Sequence, residues 1–102
     1  MIHVIATVEL NDGQRDAFLE EFHKIIPEVL AEQGCIEYGP TIDVPTEIPA
    51  QGDPRDHIVV IIEKWESLET LEAHLIAPHM MEYRKKVKPL IASSNLQVLQ
   101  PA

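Results

Sequence analysis

Residues Ile2 to Glu9 alternate strictly. Ile2, Val4, Ala6 and Val8 share one face, and His3, Ile5, Thr7 and Glu9 share the other. That period of two predicts a strand with one apolar face and one mixed face. Asn11-Asp12-Gly13 then makes a turn, and Asn11 or Asp12 is a candidate helix cap. The period changes to helical: Phe18, Phe22, Ile25, Val29 and Leu30 line up, with Asp16, Glu20, Glu21, Lys24 and Glu28 opposite. An amphipathic helix is predicted from about Gly13 to Gln33, kinked or split near Lys24 by Pro27 and stopped by Gly34.

Cys35–Val44 reads as a second strand, with Gly39-Pro40 marking a bulge or an edge position. Pro45–Asp56 is a loop rich in Pro, Gly and Asp. Ile58–Trp65 is a third strand, apolar on both faces. Ser67 caps a short helix through Leu75, with Leu68, Leu71 and Leu75 inward. Pro78 suits the first position of another helix, which groups Met80, Tyr83, Val87 and Leu90 on one side and is limited by Pro89. Leu96–Leu99 is a short last strand. The order strand, helix, strand, strand, broken helix, strand is that of a ferredoxin-like α+β domain, with four antiparallel strands carrying the helices on one face.

This layout leaves the other sheet face bare. The third strand sends Ile58, Val60 and Ile62 to one face and Val59, Ile61 and Trp65 to the other, and the first strand adds Ile5 to its mixed face. Monomers rarely tolerate such a patch, so a two-fold homodimer enclosing a cavity is expected.

Composition narrows the partners. The 102 residues suit one domain, spanning 1–102, with a modest core. Seventeen acidic against eight basic residues give a net charge of −9, which disfavours nucleic acid and anionic membrane surfaces. Cys35 is the only cysteine, so no internal disulfide forms. The start, Met1-Ile2-His3-Val4, lacks a signal-peptide pattern, and no apolar run approaches the ~20 residues of a membrane span. A cytoplasmic protein is the simplest expectation. Neither internal repeats, a glycine-rich phosphate loop nor a dinucleotide fingerprint occurs.

The chemistry-bearing residues gather between Glu63 and His79. Trp65 offers a ring to stack on a planar molecule and an N–H to donate; its structural alternative is a core or dimer contact. Glu63 shares its strand face and becomes a base if buried and unpaired, or else pairs at a contact. His74 and His79 titrate near neutrality, though each also fits a satisfied hydrogen-bonding role. Their spacing of five across Pro78 is not that of a zinc helix, so no metal is expected. Tyr38 is a possible phenolic donor or a half-buried strand aromatic, and His3 and Thr7 are candidates to line the same cavity. Cys35 and the Met80-Met81 pair read as packing.

In order along the chain stand Gly34-Cys35, Glu37-Tyr38, Glu63-x-Trp65, Leu71-x-x-His74 and Pro78-His79. This ordered set, within Ile2 to about Leu99, resembles the antibiotic biosynthesis monooxygenase family. The resemblance implies a dimeric α+β barrel of ferredoxin-like subunits. It also implies a cofactor-free oxygenase acting with molecular oxygen on a phenol, quinol or related planar aromatic. His74, His79 and Glu63 are then the catalytic candidates, and Trp65, Tyr38, Thr7 and His3 the substrate-binding ones. Haem-degrading relatives match poorly: Thr7, His74 and Arg84 stand where those carry Asn, Trp and His. Other relatives act in signalling or have no known reaction, so a non-catalytic small-molecule-binding or stress-response dimer is the alternative.

Overall fold

The structure is a computed structural model describing residues 1–102. The elements run β1 (Ile2–Leu10), α1 (Arg15–Leu30), β2 (Cys35–Thr41), β3 (Ile58–Trp65), α2 (Leu68–Leu75), α3 (Pro78–Val87), a 3-10 turn (Lys88–Leu90) and β4 (Ile91–Leu99). The sheet order is β2-β3-β1-β4, every pair antiparallel. This is the ferredoxin-like α+β arrangement predicted from the pattern.

Register fixes the two faces. Val4 lies opposite Glu63, Ala6 opposite Ile61 and Val8 opposite Val59. These residues face the helices, where Phe18, Phe22, Ile25 and Val29 of α1 close the core. Phe22 stacks on Tyr38 at 5.2 Å, and Tyr83 meets both Phe18 and Phe22 edge-on. Such offset and edge contacts are the favourable aromatic geometries.

Several boundaries differ from the pattern. Helix α1 starts at Arg15, ends at Leu30 and passes unbroken through Pro27. The hydrogen bond Pro27 cannot donate is the one to the His23 carbonyl, and both residues lie on the exposed side, where that carbonyl is open to solvent. Neither Asn11 nor Asp12 caps the helix; the Asn11 side chain donates to the Pro89 carbonyl instead. Strand β2 stops at Thr41, and its irregularity falls between Cys35 and Glu37 rather than at Gly39-Pro40. Pro40 is tolerated because β2 is an edge strand. Strand β4 begins at Ile91, five residues before the predicted start. Its Ala-Ser-Ser-Asn opening carries no apolar alternation because this edge strand is mostly exposed.

Side-chain placement also departs in the helices. Leu68 and Met81 are exposed, while His74 is buried in their stead on the core side. Ser67 and Thr70 cap α2 reciprocally, each side chain bonding the other's backbone N–H. Beyond β2, the long loop is fastened by Arg55, whose guanidinium grips both oxygens of Asp43 at 2.8 and 2.9 Å.

Candidate functional site

A cleft of about 540 Å³ opens between the helix-covered sheet face and α3. Its floor is buried and apolar, with Phe18, Ile61 and Met80. Set into that floor are Tyr38, Glu63, His74 and Tyr83. Arg84, Lys88 and Ser94, all exposed, form the rim. The cleft therefore lies within a single chain, on the helix side. A cavity between bare sheet faces was the sequence-based expectation; strand alternation puts the polar floor on the opposite side.

Glu63 reaches the floor from β3, and Trp65 sits two residues on, on the same face. The Trp65 indole N–H donates to Glu63 Oε1 at 2.9 Å. Burial pushes the Glu63 carboxyl up to about 7, against the lowering effect of that hydrogen bond. Its second oxygen has no protein partner and is not sealed off. Trp65 is fully buried and does not line the cleft. It stands behind the floor, its ring 4.6 Å from that of His74.

His74 comes from α2, and Glu32 from the turn after α1. His74 Nδ1 lies 2.8 Å from Glu32 Oε2, and His79 Nε2 lies 2.8 Å from the same oxygen. As a carboxylate, Glu32 only accepts, so both ring nitrogens donate to it. That leaves His74 Nε2 as a free acceptor without a protein partner, while the ring itself lines the cleft. Burial pushes His74 below its ordinary pKa, partly offset by Glu32, and so favours the neutral ring. The Tyr38 and Tyr83 phenols are pushed up, chiefly by burial, and remain O–H donors at neutral pH.

The structure thus gathers Tyr38, Glu63 and His74 at one cleft, with Trp65 behind them. His79 lies outside it, in a neighbouring groove with Glu28 and Glu82. It reaches the site only through Glu32. His3 and Thr7 point to the bare sheet face, opposite Lys64 and Val60, and share no cavity with Glu63. The period-two alternation that placed Glu63 with Val4 necessarily turns His3 and Thr7 away.

Glu32, Tyr83, Arg84 and Lys88 complete the site without having been singled out as site residues from sequence. Glu32 left one trace. The last turn of α1 holds Glu28 and no basic residue, and Glu32 follows directly. Acids there oppose the helix dipole and call for donors from elsewhere. No group of three or more His, Cys, Asp or Glu side chains is arranged to hold a metal ion.

The model of the family described as antibiotic biosynthesis monooxygenase matches residues 1–86. This chain belongs to that family. A curated relative, the probable quinol monooxygenase YgiN of Escherichia coli K12, is 44% identical over 103 residues, covering 99% of this chain and 98% of its own. The Rv0793 structure from Mycobacterium tuberculosis superposes with TM-score 0.79 at 26% identity, over 99% of this chain and 94% of that one. PA3566 from Pseudomonas aeruginosa gives 0.79 at 22% identity, over 99% and 93%, and shows the shared fold. Membership makes the chain monooxygenase-like, and in this member the polar floor of the cleft is Tyr38, Glu63, His74 and Tyr83.

Proposed function

We propose that the protein is a cofactor-independent monooxygenase that oxidises a phenol, quinol or related planar aromatic with molecular oxygen. The observation that carries this reading is an apolar cleft whose floor holds two unpartnered proton acceptors, His74 Nε2 and a Glu63 oxygen. The 44% identity to a probable quinol monooxygenase supports the substrate class.

The chemistry needs no outside reductant. For a quinol with a free ring C–H, His74 takes the O–H proton, and the electron-rich anion passes one electron to oxygen. The two radicals join, forming a C–O bond, and the proton returns to the peroxide oxygen. The O–O bond then breaks: one oxygen leaves as water with the ring hydrogen, and the other stays as a carbonyl. Quinol plus oxygen becomes hydroxyquinone plus water, with all four electrons drawn from the quinol. Glu32 holds His74 in the acceptor tautomer, and His79 holds Glu32 from the far side. Tyr38 and Tyr83 donate to the developing oxyanion. Trp65 fixes Glu63 and packs on His74 rather than stacking on substrate. The dry floor strengthens each of these interactions.

The active particle in this proposal is a homodimer. A second copy covers Ile5, Ile58, Val60 and Ile62 on the bare face.

Oxygen uptake with a panel of hydroquinones and naphthols tests the reading. Uptake is expected, with His74→Ala lowering kcat by about 10²–10⁴, the usual contribution of a positioned base. Tight binding with no uptake from the folded protein would overturn the oxygenase and favour the ligand-binding alternative.

A further inference from the structure

The eight basic side chains divide sharply. Outside α3 and the turn that follows it, each is engaged. Lys24 pairs with Glu21, Arg55 with Asp43 and Lys64 with Glu37, and Arg15 donates to the Arg55 carbonyl. The other four, Arg84, Lys85, Lys86 and Lys88, fall within five consecutive positions. None of them has a carboxylate within salt-bridge distance, in a chain with 17 acidic residues. Arg84 contacts only the sulfur of Met81, at 3.9 Å.

Two of these free cations, Arg84 and Lys88, share the rim of the cleft. They are four residues apart at the end of α3, a spacing that brings side chains together on one face. On the same side of the sheet, β4 contributes Ser94, opposite Val8, which adds a neutral donor. The field of Arg84 is felt at the floor, where it opposes protonation of His74 and favours ionisation of Tyr83. The cleft is therefore graded: proton acceptors and phenols at the bottom, apolar walls, and unneutralised positive charge at the top. A wholly neutral aromatic uses the first two layers and leaves the third idle.

We propose that the substrate carries a carboxylate at the end remote from the reacting hydroxyl, and that Arg84 and Lys88 bind it. The inference deepens the oxygenase reading and rests on it for which end of the molecule reacts. Arg84 supplies a planar fork of N–H donors matched to a carboxylate, and Lys88 a point charge beside it. The long-range effect is to draw an anion towards a cluster of four unpaired cations on an otherwise acidic chain.

The test uses 6-hydroxy-2-naphthoate and its neutral amide, 6-hydroxy-2-naphthamide, titrated calorimetrically into the intact protein. At low ionic strength the carboxylate is expected to bind about tenfold tighter or better than the amide. The preference should shrink as salt rises to about 0.5 M, since the pair is exposed. In the double variant Arg84→Gln/Lys88→Gln the preference for the carboxylate over the amide should vanish. Both side chains are exposed, and an unaltered melting curve confirms that the variant folds. Equal affinity for the two ligands overturns the subsite, as does a preference that survives the double substitution; so does binding of neither. A carboxylate preference that depends on the pair, without oxygen uptake by any quinol, leaves the subsite standing and removes the oxygenase.

Discussion

Glu63 is the residue at which stability and chemistry conflict. Its carboxyl is held near 7 by burial, with only the Trp65 indole as a donor. Because the folded pKa is raised, the carboxyl favours folding fully at pH below about 4.5. That contribution is lost as pH climbs through about 7. The shift from 4.5 to about 7 corresponds to roughly 3 kcal/mol once the group is ionised in the folded state. Glu63→Gln keeps an oxygen for Trp65 and removes the charge. The variant should match the wild type in denaturant titrations near pH 4 and exceed it by about 1–3 kcal/mol at pH 8. An equal midpoint at both pH values would show that Glu63 is not held in a dry site. A carboxyl that works against folding at neutral pH is consistent with the proton-accepting floor proposed for the cleft.

At the scale of elements, the turn between α1 and β2 is the joint on which the site depends. Gly34 has φ +83°, and a Cβ there would lie 2.5 Å from Thr70 Cγ2. The Gly34 carbonyl also accepts from the Glu66 N–H at 2.9 Å. The turn thus lies flat against the start of α2, which brings Glu32 to His74 and His79. Gly34→Ala combines a left-handed backbone with a clash, and should cost about 2–4 kcal/mol by thermal or chemical denaturation. It should also shift the His74 imidazole nitrogen resonances, because Glu32 can no longer fix the tautomer. A variant with native stability and unchanged resonances would remove the turn from this role. The glycine was legible in the sequence as a helix stop. Its closeness to Thr70 was not, because those residues lie 36 positions apart and meet only when α2 folds back beside the turn.

For the molecule as a whole, one sheet face is covered by helices and the other is not. Ile58, Val60 and Ile62 alternate on the bare face with β1 residues Ile5 and Thr7 beside them. Leu99 of the edge strand, opposite His3 on the same face, is also exposed. Covering such a surface favours self-association through the hydrophobic effect. Sedimentation at micromolar concentration should give twice the 11.5 kDa chain mass. A polar pair of substitutions on this face, Val60→Lys with Ile62→Lys, should yield monomers. A wild-type monomer would overturn the homodimer.

The sequence by itself determined the order of elements, which residues of a strand share a face and the capping of α2. Those features follow from the repeat of the backbone and from neighbours a few residues away. It also located Glu63, Tyr38 and His74, because unusual residue types at core positions are visible as breaks in an apolar pattern. Only the tertiary structure decided that Glu32 joins His74 to His79, that Trp65 supports the floor instead of lining it, and that His3 and Thr7 face away. It alone placed the unpaired cations over the cleft and drew Ala92–Asn95 into β4. Each of these depends on contacts between residues far apart in the chain, made when helices close over a sheet, and no local period records them.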